Sequence, residues 1–183
     1  MKHRLIARRL TFILFAMLIS ACTEETTEPT DENTLLYTSF EKNGMFSSDG
    51  WKLPAQYDSS TDVPAGGGNF SLLLEASQPP EVYAYIKVPV KTNFNEFKLS
   101  FWSKSKGVTS NIYAKAILSL VRNGTILKSR SILIDQIDWR SFSIQDTFNV
   151  AEGDSFIVQL SGGMHHLLLL ETYFDLCRLY GID

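Results

Sequence analysis

The chain has 183 residues, of which 44% are hydrophobic, and this composition suits one domain with a buried core. Its net charge is −3, from 17 basic and 20 acidic side chains. Four of the basic residues lie within positions 2–9, so residues 34–183 carry 13 basic and 15 acidic side chains and contain no basic run. This balance excludes the positively charged surface that nucleic-acid binding requires, and we expect no nucleic-acid partner.

The N-terminal segment joins a basic start to a short apolar stretch over residues 10–19. This stretch is too short to span a bilayer, because a spanning helix takes about 20 apolar residues. A basic start, a short apolar region and small residues at a cleavage point are typical of a signal peptide. The sequence Ile19-Ser20-Ala21-Cys22 resembles the lipobox of bacterial lipoproteins. The resemblance implies a signal peptide over 1–21 and acyl chains on Cys22; an uncleaved anchor, or an ordinary signal with a chance cysteine, is the alternative.

Residues 23–33 hold five acidic side chains, no basic one, and proline as the only apolar residue. Such a segment cannot bury enough surface to offset the entropy of ordering it. Residues 22–34 are therefore predicted to form the lipidated cysteine and an acidic flexible tether. We expect the protein to be anchored to a bacterial membrane through its lipid, with the outer membrane favoured. The acidic residues also resemble export signals of surface lipoproteins, which leaves the periplasmic and external faces open.

The two cysteines of the chain have separate predicted roles. Once Cys22 is lipidated, Cys177 has no partner within the chain, so no intrachain disulfide can form. A free cysteine is most often a small core residue, and we expect Cys177 to be buried.

From residue 35 onward, apolar and polar side chains alternate with a period of two, which is typical of half-buried strands. Asn123-Gly124 separates two such runs, and both residues tolerate the positive φ that a type I′ hairpin turn requires. The pattern predicts nine strands, at 35–41, 70–76, 82–88, 96–105, 111–122, 125–135, 139–145, 155–161 and 172–180.

Glycine, proline, asparagine and aspartate cluster between these strands, and no long amphipathic helix is predicted. Residues 164–173 fit either a short helix or a strand. Short strands separated by turn residues favour an all-β fold, and we predict a two-sheet antiparallel β-sandwich over 35–183.

The order of several short motifs is similar to that of the jelly-roll, galactose-binding-like carbohydrate-binding modules. The matching residues are Phe40-Glu41, Gly50-Trp51, Gly68 with Ser71-Leu72, Leu99-Ser100-Phe101 with Lys104, Trp139, Gly153-Asp154 and Phe174-Asp175. One departure is that Thr38-Ser39 stands where those modules usually have Asn-Gly. The resemblance implies a jelly-roll fold and a non-catalytic module that binds a poly- or oligosaccharide and holds it at the cell envelope.

The resemblance also implies a structural calcium ion that joins the first strand to the last. By position, its ligands would be the carboxylates of Glu41 and Asp175, with backbone carbonyls near Asn43 and Gly68. Calcium takes six to eight oxygen ligands of these kinds, and glycine lets the backbone approach closely. The alternative is that both acids accept hydrogen bonds from backbone amides at strand ends and bind no metal.

Aromatic rings at outward positions of the alternation are candidate platforms for sugar stacking. We predict Trp102 as the main platform, Tyr83, Tyr85 and Tyr113 as secondary rings, and Lys104 as a hydrogen-bond donor to sugar hydroxyls. The alternative is that these rings simply favour strands and cover their neighbours. Among the loop aromatics, Trp51 is expected to pack under a loop, and Tyr57 is another possible platform.

Sequence motifs for catalysis are absent, including Gly-x-Ser-x-Gly and His-Glu-x-x-His, so we expect no enzyme activity. His165 and His166 are neighbours without ligand spacing and are expected at a surface or loop end. The competing hypothesis is a structural or adhesive surface lipoprotein whose sandwich binds a protein partner, because one fold hosts many functions. A broad apolar patch that included Ile117 and Val121 would favour that hypothesis.

Overall fold

The computed structural model describes residues 32–76, 80–90, 94–106, 114–164 and 170–182. Within these ranges the secondary structure is strand without helix, so they contain no helical segment able to cross a membrane. The strands are β1 (Thr34–Thr38), β2 (Glu41–Lys42), β3 (Met45–Phe46), β4 (Tyr57–Ser60), β5 (Ser71–Glu75), β6 (Ala84–Pro89), β7 (Glu96–Lys106), β8 (Ala114–Arg122), β9 (Thr125–Ile134), β10 (Arg140–Thr147), β11 (Ser155–Ser161) and β12 (Glu171–Ile182).

Two antiparallel sheets form the layers of a β-sandwich. The six-stranded sheet has the order β10-β7-β12-β5-β4, with β1 also paired to β12, and the four-stranded sheet has the order β6-β11-β8-β9. Strands β2 and β3 form a separate small hairpin. Because β1 pairs with β12, the beginning of the domain lies beside its end, as the family resemblance implied. The predicted all-β sandwich is confirmed.

The core lies between the two sheets and is built by the alternation seen in the sequence. In β6, for example, Ala84, Ile86 and Val88 are buried while Tyr85 and Lys87 are exposed. The rings of Phe97 and Phe156 meet at 4.7 Å between centroids, in the middle of this core. Burying each such ring stabilises the fold by about 1.5–3 kcal/mol.

Each of the nine predicted strands overlaps a strand of the structure, although the predicted strand 35–41 is interrupted after Thr38. Residues 111–113, at the start of another predicted strand, lie outside the described ranges. Asn123 and Gly124 have φ values of 49° and 80°, which confirms the predicted turn between β8 and β9. Cys177 and Trp51 are buried in the core, as expected. Residues 165–169, which include His165 and His166, lie outside the described ranges.

Strand β4 and the β2–β3 hairpin were not predicted. Strand β4 reads Tyr-Asp-Ser-Ser and lies at the edge of the six-stranded sheet, so it contributes little to the core and carries no apolar alternation. The hairpin strands have two residues each, too few for a period of two to be recognised.

Candidate functional site

The predicted aromatic residues do not share one surface. Trp102 lies in β7 of the six-stranded sheet, whereas Tyr85 lies in β6 of the four-stranded sheet, and Tyr83 directly precedes β6. The neighbours of Trp102 and Tyr85 along each strand are buried in the core, so these two side chains point out of opposite sides of the sandwich. Trp102 and Tyr85 therefore do not belong to one binding surface. Tyr113 lies outside the described residues.

Lys104 is also not the exposed hydrogen-bond donor that the sequence predicted. Its side chain is only 10% exposed and forms an ion pair with Asp62. Its Nζ atom lies 5.2 Å from the ring centroid of Trp139 and 5.0 Å from that of Tyr173. A cation held between a carboxylate and two ring faces is not available to a sugar hydroxyl.

Asp62 attaches the loop between β4 and β5 to the outer face of the six-stranded sheet. Besides the ion pair with Lys104, it accepts a hydrogen bond of 3.0 Å from Nε1 of Trp139. Burial by itself would raise the pKa of Asp62, but the hydrogen bonds from Lys104 and Trp139 hold that pKa below its ordinary value. Asp62 therefore stays charged, and this loop covers part of the sheet around Trp102, which is itself half-buried.

The outer face of the four-stranded sheet is the other candidate surface for ligand binding, and we call it the Tyr85 face. Its central row runs through Tyr85, Gln159, Ile117 and Ser131, which are cross-strand neighbours in β6, β11, β8 and β9. The ring of Tyr85 is 36% exposed. The face is defined by Lys52, Tyr83, Tyr85, Lys87, Lys115, Ile117, Ser131, Leu133, Ile157 and Gln159.

Lys52 extends this row beyond the edge of the sheet. Its backbone N–H donates to the carbonyl of Tyr85 at 2.8 Å, and the N–H of Tyr85 donates back to the carbonyl of Lys52 at 2.9 Å. The Nζ atom of Lys52 lies 5.6 Å from the centroid of the Tyr85 ring. The backbone pair therefore holds a cation directly beside the exposed ring.

Glu81 organises one end of the Tyr85 face, a role that the sequence analysis did not assign to it. Its carboxylate accepts hydrogen bonds from Tyr83 Oη at 2.8 Å and Ser161 Oγ at 2.6 Å, and it pairs with Lys115 Nζ at 2.6 Å. Burial alone would raise the pKa of Glu81, but these partners, Lys115 first, hold it below its ordinary value. Tyr83 is therefore held in place by a charged network, with Lys115 5.7 Å from its ring centroid.

The predicted metal ligands Glu41 and Asp175 come together with the glycine-rich loop. A Cβ atom added to Gly67 would lie 2.6 Å from Oδ2 of Asp175, and one added to Gly68 would overlap Oε2 of Glu41. The negative charge of Glu41 also helps to raise the pKa of Asp175. Residues from the start, the middle and the end of the chain thus share one small site.

This site fits a cation, because one of its carboxylate oxygens is buried and lacks a partner. Oδ1 of Asp175 accepts a hydrogen bond of 2.7 Å from the N–H of Leu176, but Oδ2 is buried and has no hydrogen-bond partner among the described residues. Burial, with the charge of Glu41 as a smaller contribution, raises the pKa of Asp175 to about 7. A cation would supply the missing partner.

Unusual backbone conformations adjoin both carboxylates. Phe40, directly before Glu41, has a φ of 52°, and Leu176, directly after Asp175, has a φ of 49°. Non-glycine residues rarely adopt such angles, and they occur most often at functional sites. Leu176 lies within an irregularity in the pairing of β12 with β7, which turns the strand locally.

The other predicted ligands of this site are backbone carbonyls near Asn43 and Gly68. Gly68 lies against Glu41, whose carboxylate also accepts hydrogen bonds from the N–H and the side-chain amide of Asn69. Asn43 is exposed in the turn between β2 and β3, with a φ of 53°. The described residues contain no group of three or more His, Cys, Asp or Glu side chains placed to hold a metal. A cation here would therefore need backbone carbonyls as further ligands.

No family model matches the sequence, and no curated protein matches it. Solved structures do match. The xylan-binding CBM22-1 domain of Xyn10C from Paenibacillus barcinonensis has a TM-score of 0.56 at 15% identity, over 82% of this chain and 96% of that one. The TmCBM61 structure in complex with β-1,4-galactotriose has a TM-score of 0.51 at 16% identity, over 83% of this chain and 100% of that one. These two structural neighbours are carbohydrate-binding modules with jelly-roll folds.

The domain shares that jelly-roll fold. A GH51 α-L-arabinofuranosidase in complex with arabinose also matches, with a TM-score of 0.56 at 16% identity over 81% of this chain. The match spans only 26% of the enzyme's length. The jelly-roll domain is thus similar to a whole binding module and to a part of this enzyme.

Proposed function

We propose that this protein binds carbohydrate on the Tyr85 face without cleaving it. The observation that carries the proposal is the exposed side chain of Tyr85, placed beside Gln159 and Lys52 on the outer face of the four-stranded sheet. Apolar sugar CH groups can stack on such a ring, while the amide and the ammonium group bind hydroxyls. A xylan-binding domain and a galactotriose-binding module among the structural neighbours support the same ligand class.

The Tyr85 face is a better candidate for carbohydrate binding than the surface around Trp102, for two reasons. The ring of Tyr85 is exposed, whereas Trp102 is half-buried and its cross-strand neighbour Asp175 lies beneath Gly67. Moreover, Lys104 is engaged by Asp62 on that side. Tyr83, held by Glu81, lies near Lys115 at the end of the Tyr85 face and provides a second ring.

A glycan array probed with the full chain in detergent tests this proposal. We expect binding to at least one group of plant, host or microbial polysaccharides. We also expect that prolonged incubation releases no sugars from the bound polysaccharide. Binding that survives substitution of both Tyr83 and Tyr85 by alanine would remove the assignment to this face. Release of sugars by the purified protein would contradict a purely binding role.

We further propose one structural calcium ion between Glu41 and Asp175. The buried, unpartnered Oδ2 of Asp175 and the close approach of Gly67 support this site. The ion would join β12 to the segment that follows β1 and would act on stability, since a ligand that binds only the native state raises its stability. Thermal melting before and after exhaustive chelation tests it, and an unchanged melting temperature would contradict it.

The proposed location is a bacterial membrane, most simply the outer membrane, with the lipid on Cys22 as anchor. The lipobox-like sequence and the acidic segment behind it support this proposal. We expect Cys22→Ala to move the protein from the membrane fraction to the soluble fraction, and incorporation of labelled palmitate to be lost. Unchanged membrane association in that variant would contradict it.

A protein partner remains a second candidate, because several apolar side chains on and beside β9 are exposed. Leu127 and Leu133 are 48% and 52% exposed, and Ile137 is 71% exposed. Along the strand, however, Leu127 and Leu133 are about 20 Å apart, with Ser129 and Ser131 between them. Ile117 is half-buried and Val121 is buried, so the broad apolar patch that would favour this hypothesis is not formed there.

A further inference from the structure

We propose that the glycan bound by the Tyr85 face is anionic, and that Lys52 and Lys87 recognise its carboxylate or sulfate groups. This inference rests on the proposed carbohydrate function and adds the charge of the ligand to it. It follows from the positions of the two lysines and from the absence of any described carboxylate that pairs with them.

Lys52 is held in place rather than carried on a mobile loop. Two backbone hydrogen bonds with Tyr85, of 2.8 and 2.9 Å, make it an additional strand position next to β6. Its side chain is exposed, and its Nζ atom lies 5.6 Å from the Tyr85 ring centroid. A sugar stacked on that ring would therefore meet an ammonium group at its edge.

Lys87 lies two residues beyond Tyr85 in β6, on the same face of the strand, and is exposed. Residues spaced by two along a strand are about 7 Å apart, which places Lys87 near the next part of an extended ligand. Its cross-strand neighbour in β11 is Ile157, an apolar residue. Lys52 thus lies opposite Tyr85 on the neighbouring chain segment, and Lys87 lies farther along the same strand as Tyr85.

Most of the basic side chains in the described part of the domain form ion pairs. On the same face, Lys115 is neutralised by Glu81 at 2.6 Å. Elsewhere, Lys42, Lys104, Lys106, Arg122, Lys128 and Arg130 each have a carboxylate within 4.0 Å. Neither Lys52 nor Lys87 has such a partner among the described residues. The Tyr85 face therefore carries a local positive charge, although residues 34–183 have two more acidic than basic side chains.

This local charge favours an acidic sugar over a neutral one. A neutral hydroxyl only accepts a hydrogen bond from a lysine, whereas a carboxylate or sulfate also attracts the ammonium group through its opposite charge. Positive charge beside the ring also attracts a polyanion before contact, an effect that salt screens. We therefore expect binding to weaken as ionic strength rises.

The experiment compares matched polysaccharides and matched variants of the full chain in detergent. The first pair is polygalacturonate and fully methyl-esterified pectin, which differ in free carboxylates. The second pair is dextran sulfate and dextran, which differ in sulfates. Affinity is measured for the wild type, for Lys52→Gln with Lys87→Gln, and for Lys98→Gln, which removes the same type of charge from the other sheet.

We expect the wild type to bind at least one anionic polymer at least tenfold more tightly than its neutral counterpart, and the double variant to lose that preference. The polymer that shows it identifies carboxylate or sulfate as the recognised group. Equal binding within each pair, or an equal loss in Lys98→Gln, would overturn the inference and leave the proposed carbohydrate function in place. No binding to any polysaccharide, on these pairs and on the array, would overturn both.

Discussion

Oδ2 of Asp175 lies 2.6 Å from the position that a Cβ atom on Gly67 would occupy. The loop therefore approaches this carboxylate more closely than any residue with a side chain would allow. The carboxylate is buried, and in the described part of the chain Oδ2 lacks a hydrogen-bond partner. A buried charge in this situation destabilises the protein unless a cation or a proton compensates it.

The first prediction uses Asp175→Asn, which retains the shape of the side chain and removes its charge. In chelator, the variant should melt a few degrees above the wild type, because an uncompensated buried charge has been removed. In millimolar calcium the order should reverse, because only the wild type gains stability from the ion. Calorimetry or fluorescence melting measures both.

Asp138→Asn is the matched control, because Asp138 is exposed. It should leave the melting temperature nearly unchanged under both conditions. If Asp175→Asn is less stable than the wild type in chelator, and calcium stabilises neither protein, the calcium site is wrong.

The second prediction separates the two outer faces of the sandwich. Tyr85→Ala should lower glycan affinity at least about tenfold, equivalent to about 1.4 kcal/mol, while Trp102→Ala should leave affinity within about twofold. Tyr57→Ala is the control, because Tyr57 is exposed in β4 of the other sheet. Isothermal titration with the best ligand from the array measures all three, and the reverse ranking of Tyr85 and Trp102 would restore the sequence-based choice of platform.

The third prediction concerns the ion pair that holds the loop onto the six-stranded sheet. Lys104→Met should lower the free energy of unfolding by about 2 kcal/mol, between the values for surface and buried pairs, because Asp62 loses its nearest cation. Urea denaturation measures the change. Lys106→Met is the control, since Lys106 is half-exposed and its Nζ atom lies 3.8 Å from Asp62. That variant should lower the free energy of unfolding by less than about 0.5 kcal/mol. Equal losses of stability in the two variants would contradict a special role for Lys104.

The fourth prediction is a pH dependence that depends on Glu81. Its pKa in the folded protein is lower than its ordinary value, since Lys115, Ser161 and Tyr83 outweigh the effect of burial. A lowered pKa contributes stability above the unfolded-state pKa, and this contribution is lost as the pH falls through the folded-state pKa.

The difference in free energy of unfolding between the wild type and Glu81→Gln should therefore be largest near pH 6 and should decrease below about pH 4. Urea denaturation over this pH range measures it. Lys115→Met removes the main partner of Glu81 and should show the same decrease toward acid pH. A difference that stays constant down to about pH 3 would show that the charge of Glu81 does not stabilise the fold.

Local sequence patterns were sufficient for most of the strands. The period of two places Ala84 and Ile86 on one side of β6 and Tyr85 on the other, whatever the strand pairs with. The Asn123-Gly124 turn is equally local, since positive φ at two successive residues is a property of those residues. That Glu41 and Asp175 lie together was predicted from a family resemblance and not from a local pattern. The structure places them in one site with Gly67 and Gly68.

The sequence by itself determined which side chains on each strand face inward, because that alternation is a property of the extended backbone. Only the tertiary structure decided which sheet each strand joins, since strand pairing depends on contacts between residues far apart in the chain. For this reason Tyr85 and Trp102, both outward on neighbouring strands in sequence, lie on opposite faces. The same long-range contacts place Asp62 on Lys104, which an alternating pattern alone marked as exposed.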